Sequence, residues 1–229
     1  MKLHSQEWGT GDRVAVLVHG IMSDHRTWRK VGPALAARGY RVIGVDLRGH
    51  GASGRGAYDV SSFVDDLVES VPAGVELALG HSLGGLVLSL AVERLAPARA
   101  VYSDPAWALG TTRVDPVAMR EFQHADRARI EMLAPRWDAE DIDIELATLR
   151  AWDPDTTLVL TGDGAVDRIP ERAVTKSLIQ LADPSQLVPD ELRNDLTARG
   201  FEIRTVPGAG HTIHRDDFDG FMASLDGWI

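Results

Sequence analysis

The chain has 229 residues, no cysteine and a formal net charge of −10, and 44% of its residues are hydrophobic. This length and apolar fraction are sufficient for one α/β domain with a buried core. The lack of cysteine excludes a disulfide framework, a thiolate metal site and a cysteine nucleophile. Because the acidic balance comes without any block of Lys or Arg, we expect no nucleic-acid partner.

The first residues, MKLHSQEWGTGDR, lack the apolar stretch of a signal peptide. No apolar run of the chain approaches the roughly 18 residues of a membrane span. We therefore expect a cytoplasmic protein without membrane contact. The sequence gives no indication of an oligomeric state.

Short runs rich in β-branched residues alternate with stretches of helical periodicity. The runs are apolar on both faces, which is typical of parallel strands covered by helices. The alternation predicts a small, mostly parallel sheet with right-handed crossovers, and there is room for one edge strand before the first run. The predicted strands are 14–18, 41–46, 75–80, 98–103, 157–161 and 201–206, and the predicted helices are 26–38, 60–71, 83–95, 171–182, 189–199 and 216–227.

One interval breaks this alternation, because residues 105–155 show helical patterning and no strand. A connection of that length has structure of its own and often covers a site. We therefore predict a core domain of residues 1–104 and 156–229, with residues 105–155 inserted as a helical cap.

Several large aromatic side chains fall in or beside the predicted cap. They either form the packing core of the cap or line an apolar pocket for an acyl group or a lactone. The residues that we assign to substrate binding on the second interpretation are Trp107, Trp137 and, near the first loop, Trp28.

The stretch LALGHSLGG places a serine where a buried strand turns into a helix. Gly80 to Gly84 have the form G-x-S-x-G, in which the glycines avoid steric collision in a strained turn and expose the Ser82 hydroxyl. A serine helix cap with packing glycines is the alternative. The position between a strand and a helix favours a nucleophile, with the Leu83 N–H available to a developing oxyanion.

A serine hydroxyl is a weak nucleophile and needs a base that a third group orients. His211, in PGAGHTIH after the last predicted strand, is the predicted base, and His214 is its competitor. Three aspartates are candidates for the acid that orients the histidine. Asp163 and Asp104 are favoured almost equally, and Asp167 is the third choice. All three follow predicted strands, but aspartate is also a common turn residue.

The loop after the first predicted strand is where a second oxyanion donor is expected. It reads HGIMS and lies at the carboxyl ends of the strands, where ligands of open parallel sheets bind. We predict the backbone N–H of Ile21 as this donor. A simple glycine turn is the alternative.

Eight histidines raise the question of a metal site. His19, His50, His81 and His211 fall in different loops, and no H-x-x-x-H or H-E-x-x-H pair occurs on one helix. The glycines of RGHGASGRG lack the lysine of a P-loop and do not follow the first strand. We therefore expect neither a catalytic metal nor a nucleotide cofactor.

Taken in chain order, these motifs resemble the α/β-hydrolase superfamily. The resemblance covers most of the chain and rests on HG at 19–20, DLRGHGAS at 46–53, GHSLGG at 80–85, the acidic turn after 157–161 and GAGH at 208–211. It implies the α/β-hydrolase fold, with a mostly parallel sheet flanked by helices and an inserted helical cap. It also implies Ser82 as nucleophile, His211 as base, the Ile21 and Leu83 amides as oxyanion hole, and no cofactor.

The resemblance leaves the acid open. Many relatives place it three residues after the glycine that closes the penultimate strand, but that spacing from Gly162 leads to Ala165. Other relatives supply it from the end of the preceding strand, which keeps Asp104 in place as an alternative. Serine at position 82 disfavours the aspartate chemistry of haloalkane dehalogenases and epoxide hydrolases.

The sequence thus predicts a serine hydrolase of a small or medium carboxylic ester, lactone or thioester. A C–C bond hydrolase, a lyase or a perhydrolase on the same triad is an alternative, since one fold hosts many chemistries. A non-catalytic ligand-binding relative is another. The substrate itself cannot be read from residue types.

Overall fold

The computed structural model describes residues 1–109, 115–161 and 166–229. Its strands are Ser5–Trp8 (β1), Arg13–Val18 (β2), Tyr40–Val45 (β3), Leu77–His81 (β4), Arg99–Ser103 (β5), Lys176–Leu181 (β6) and Glu202–Thr205 (β7). They form one seven-stranded sheet in the order β1-β3-β2-β4-β5-β6-β7. Strand β1 pairs antiparallel with β3, whereas the other pairs are parallel, so the predicted mostly parallel sheet with an edge strand is confirmed.

Helices connect the strands and cover the sheet. Within the described residues, none of them has the length and apolar character needed to cross a lipid bilayer. The α-helices are Val31–Ala36 (α1), Val60–Ser70 (α2), Leu83–Leu95 (α3), Pro116–Phe122 (α4), Arg127–Leu133 (α5), Ala139–Ala151 (α6), Asp190–Ala198 (α7), Ile213–Asp216 (α8) and Phe218–Ala223 (α9), and 3-10 helices form at His25–Trp28 and Pro154–Val159.

The apolar core is divided by the sheet into two layers. In β2, Val16 and Val18 pack on one side and Ala15 and Leu17 on the other, because successive side chains of a strand point to opposite faces. The first layer includes residues of α2, α3 and α7, and the second includes residues of α1 and α9. Both faces of the sheet are therefore buried, as the apolar strand sequences indicate.

Strand β2 marks the place where the chain direction across the sheet reverses. It pairs in parallel with both β3 and β4. The chain therefore adds β3 on one side of β2 and then crosses back to add β4 on the other side. The loops that follow β2 and β4 consequently emerge side by side. Open parallel sheets bind their ligands in this kind of crevice.

Two sequence predictions are wrong between β5 and β7. Residues 157–161, predicted as a strand, belong mostly to the 3-10 helix Pro154–Val159. The side chain of Asp153 caps that helix, and the hydroxyls of Thr156 and Thr157 donate to carbonyls three residues back, which favours a local turn over strand pairing. Residues 171–182, predicted as a helix, contain the buried strand β6.

The predicted end of the cap at residue 155 was based on the strand predicted at 157–161, which is mostly a 3-10 helix. The next strand after β5 begins at Lys176, and the described residues between them include α4, α5 and α6. A small apolar cluster of Ile130, Ile142 and Leu149 packs α5 against α6. Ion pairs join α6 to the rest of the chain, among them Arg29 Nε to Asp141 Oδ1 at 2.9 Å.

Candidate active site

Ser82 lies in the sharp turn between β4 and α3. Its φ is 52° and its ψ is −116°, a backbone conformation that few residues other than glycine adopt. A Cβ at Gly80 would lie 2.4 Å from the Gly84 carbonyl oxygen, and one at Gly84 would lie 2.2 Å from the Val18 oxygen. Close packing therefore requires glycine at both positions, within the turn itself for Gly80 and against β2 for Gly84.

The loop after β2 packs directly on this turn. A Cβ at Gly20 would lie 2.9 Å from His81 Nδ1 and 3.1 Å from Ser82 Cβ, so only glycine allows the approach. Ile21, the next residue, lines the same cavity as Ser82. Leu83 is the first residue of α3, where backbone N–H groups have no partner within the helix.

His19 fixes the orientation of the peptide group between Gly20 and Ile21. Its Nε2 accepts a hydrogen bond from the Leu47 N–H at 2.9 Å, so Nδ1 carries the proton and donates to the Gly20 carbonyl at 2.7 Å. Burial lowers the pKa of His19, which favours this neutral form. Because the C=O and N–H of a trans peptide point in opposite directions, the Ile21 N–H points away from His19.

Asp104 and His211 form a hydrogen-bonded pair at the end of the sheet. Asp104 follows β5 and is fully buried, and its Oδ2 accepts a hydrogen bond from His211 Nδ1 at 2.6 Å. The Ser82 N–H donates to the Ser103 carbonyl at 3.0 Å, which joins the serine turn to the residue before Asp104. With Nδ1 held by the carboxylate, Nε2 is the ring nitrogen that can exchange a proton with a hydroxyl.

The structure thus brings Asp104 to the histidine. Asp163, ranked beside it from the sequence, lies outside the described residues. Asp167 is exposed and does not follow a strand, because the strand predicted before it is a 3-10 helix. The strand that precedes β7 is β6, and after it Asp183 Oδ2 accepts from the Gly208 N–H at 3.2 Å, in the loop that carries His211.

Two buried histidines pack behind His211. The His81 Nε2–H donates to the backbone carbonyl of His211 at 2.9 Å, and the two rings lie 4.7 Å apart. Burial, and then the charge on neighbouring histidines, lowers the pKa of both His81 and His214. His214, the competing base from the sequence, has its Nε2 within 2.7 Å of Thr27 Oγ1 and is a packing residue.

Ser82 and His211 line one cavity of about 120 Å³. Trp137 also lines this cavity, and its Nε1–H donates to Asp216 Oδ1 at 2.9 Å. The remaining lining residues are Gly20, Ile21, Met22, Ser23, Thr27, His81, Glu145, Thr212 and Arg215.

The expectation that Trp28 and Trp107 line the pocket is wrong. Both are fully buried in the apolar layers that flank the sheet. Trp28 packs against the His214 ring at 4.4 Å, and Trp107 donates from Nε1 to Ser89 Oγ at 3.1 Å. Glu145 and Arg215 also line the cavity and were not predicted from the sequence, although an arginine four residues after His211 was a signal that the residue could reach the site.

A separate group of ligand-type side chains surrounds Asp46. Among the described residues, ring nitrogens of His4 and His25 and a carboxylate oxygen of Asp46 lie within 4.8 Å of one another. Asp46 Oδ1 binds the backbone N–H and Nδ1 of His25, and Oδ2 binds His4 Nδ1 and the Ala52 N–H. Burial alone would raise the pKa of Asp46, but these bonds lower it. These hydrogen bonds connect the first residues and two loops to the end of β3. The group therefore has a structural role.

The serine turn, the histidine that is paired with a buried carboxylate, and the loop after β2 line one cavity at the carboxyl edge of a mostly parallel sheet. This combination is the architecture of an α/β hydrolase. The sequence profile of the Alpha/beta hydrolase family matches residues 15–223, and the chain belongs to this family.

Individual relatives match over shorter stretches. The chain is 39% identical over 95 residues to a pimeloyl-[acyl-carrier protein] methyl ester esterase of Sodalis glossinidius, which is 41% of this chain and 36% of that protein. It is 37% identical over 86 residues to salicylic acid-binding protein 2 of Nicotiana tabacum, which is 34% of this chain and 33% of that protein. The chain therefore spans about a third of the length of these curated relatives.

The likeness to solved structures extends over the whole chain. An E-2-(acetamidomethylene)succinate hydrolase superimposes with a TM-score of 0.79 at 20% identity, covering 98% of this chain and 94% of that one. At this level of identity, the likeness concerns the fold alone.

Proposed function

We propose that the chain is a serine hydrolase that cleaves a small carboxylic ester, lactone or thioester through an acyl-enzyme on Ser82. The observation that carries the proposal is the 2.6 Å hydrogen bond from His211 Nδ1 to the buried Asp104, with His211 and Ser82 lining one cavity. The esterases among the relatives support hydrolysis of esters at a coarse level.

In the proposed mechanism, Ser82 Oγ attacks the substrate carbonyl carbon while His211 Nε2 takes the hydroxyl proton. Asp104 stabilises the resulting imidazolium, and the Ile21 and Leu83 N–H groups donate to the oxyanion. The tetrahedral intermediate then breaks its bond to the leaving oxygen or sulfur, which receives the proton from His211. Water, deprotonated by His211, attacks the acyl-enzyme and releases the acid and free Ser82.

The size of the cavity supports a small acyl group. Its volume of about 120 Å³ is well below the roughly 300–1,000 Å³ of pockets that enclose drug-sized ligands. Helix α6 contributes Glu145 to the lining, and Trp137 lies just before this helix, so we propose that the segment between β5 and β6 acts as a cap over the site.

A non-catalytic ligand-binding role is the second candidate function. One relative carries the name of a salicylic acid-binding protein, and ligand binding is what that name states. C–C bond hydrolysis, lyase and perhydrolase chemistry use the same serine and stay as alternatives within enzymes.

Hydrolysis of p-nitrophenyl acetate, butyrate and octanoate tests the proposal. We expect turnover of acetate and butyrate, with a kcat/KM for octanoate at least about tenfold lower. Without a steric limit, a longer acyl chain would gain about 0.8 kcal/mol of binding free energy per buried CH₂. A lower kcat/KM for octanoate would therefore indicate that the cavity is too short for this chain. The measurement is release of p-nitrophenolate, with Ser82→Ala as the blank.

The other outcomes separate the candidate functions. A preference for octanoate would contradict the small acyl group but leave the hydrolase assignment intact. Absence of turnover with all three esters, in folded protein that binds an acyl ligand, would favour the receptor.

A further inference from the structure

The cavity that contains Ser82 has polar lining residues that the proposed reaction does not use. Arg215 and Ser23 both line it, and the Arg215 side chain is only 2% exposed. In the part of the chain that the structure describes, the buried Nε and Nη2 of Arg215 and the buried Oγ of Ser23 have no hydrogen-bond partner. Buried polar atoms are nearly always hydrogen-bonded, so unpaired donors at a cavity indicate an acceptor that a ligand supplies.

Among the described residues, hydrogen bonds reach the Arg215 guanidinium from one side, at Nη1. Nη1 donates to Glu145 Oε2 at 2.6 Å, and the Trp137 ring centre lies 4.6 Å from the guanidinium carbon. Nε and Nη2 form the lateral edge of the group, whose two parallel N–H bonds match the two oxygens of a carboxylate. This edge is the unpaired one.

The carboxylates that the structure describes near Arg215 do not hydrogen-bond to this edge. Asp141 Oδ1 lies 3.9 Å from Arg215 Nε, beyond hydrogen-bond distance, and Asp141 already accepts from Arg29 at 2.9 Å and Lys30 at 3.1 Å. Glu145 is bound to Nη1 on the other side of the guanidinium. Burial raises the pKa of Glu145, although its contact with Arg215 acts in the opposite direction.

We propose that Arg215, assisted by Ser23, binds a carboxylate on the acyl part of the substrate. The preferred substrate is then a half-ester of a short dicarboxylic acid, with its ester carbonyl at Ser82 and its free carboxylate at Arg215. This inference rests on the proposed serine hydrolase function and narrows it to one substrate class. Arg215 is a specificity residue, since it does not touch the reacting atoms.

The test compares two methyl esters of similar shape, monomethyl succinate and methyl 4-methylpentanoate, in which an isopropyl group replaces the carboxylate. We expect the wild type to prefer monomethyl succinate by about 10- to 100-fold in kcat/KM, the range for a hydrogen bond to a charged group. Arg215→Met keeps the unbranched stem of the side chain and removes the guanidinium donors, so the ratio should fall to about one. Methanol release gives the rates.

A matched control separates specificity from cap attachment. Arg29→Met removes another cation that binds α6 but does not line the cavity, so any loss should affect both esters equally and leave their ratio unchanged. A wild-type ratio of one or less, or a ratio that Arg215→Met leaves intact, would overturn the carboxylate site. Hydrolysis of p-nitrophenyl esters would still support the proposed function in that case.

A binding measurement makes the inference independent of turnover. Calorimetric titration of monomethyl succinate into Ser82→Ala, and into Ser82→Ala combined with Arg215→Met, compares affinities without hydrolysis. We expect the second substitution to weaken binding by about tenfold or more. Equal affinities, or no binding to Ser82→Ala, would overturn the proposal.

Discussion

Ser82→Ala is expected to reduce kcat for p-nitrophenyl acetate by roughly 10⁴-fold or more, while the protein stays folded. The reason is that the proposed acyl transfer needs an oxygen nucleophile at the turn between β4 and α3, and alanine removes the atom that would form the acyl bond. Circular dichroism and thermal unfolding should match the wild type, since the Ser82 side chain makes no cap hydrogen bond to α3.

Ser61→Ala is the control for this substitution, because it removes a hydroxyl from an exposed position of α2. It should leave kcat within about twofold of the wild type, as is usual for surface changes far from a site. If Ser82→Ala retained activity within tenfold of the wild type, a covalent mechanism at this serine would be wrong.

Asp104→Asn is expected to lower kcat by roughly 10³- to 10⁴-fold. Asparagine has nearly the shape of aspartate and tolerates the positive φ of 42° at this position, so the backbone should be preserved. An amide next to His211 Nδ1 favours the wrong tautomer and cannot stabilise the imidazolium. The measurement is kcat for the same ester together with the unfolding temperature.

The matched controls are Asp167→Asn and Asp163→Asn, the other acids predicted from the sequence. Asp167 is exposed and should be neutral within about twofold. Asp163→Asn should also retain activity, because the 2.6 Å bond to His211 comes from Asp104. A loss at Asp163 as large as the loss at Asp104 would contradict this assignment.

The serine turn could be predicted because its signals are local. Glycines at 80 and 84, an apolar strand before them and an apolar helix after them all lie within one short stretch. Residues 157–161 and 176–181 were harder, because short apolar runs do not distinguish strands from other buried segments by periodicity. Pro154 and the capping residue Asp153 start a 3-10 helix that continues into residues 157–159. Pairing with β5 and β7 makes the second run a strand.

The acid and the polar lining residues of the cavity depend on long-range contacts. Whether a loop reaches His211 depends on the order of strands in the sheet, and Asp163 was predicted as the acid from a strand at 157–161 that is mostly a 3-10 helix. The Arg215 to Glu145 pair joins residues 70 positions apart, on helices that no local pattern brings together. The burial of Trp28 and Trp107 was also not predicted, because it depends on the helices that pack over them in the folded chain.

The most direct test of the account is intact-mass spectrometry after treatment with a serine-directed fluorophosphonate, followed by peptide mapping. We expect one adduct per chain on Ser82 in the wild type, none in Ser82→Ala, and labelling at least about 100-fold slower in His211→Ala, since the proposed base activates the hydroxyl. Folded wild-type protein that forms no adduct, or forms it at another residue, would contradict an activated nucleophile at Ser82.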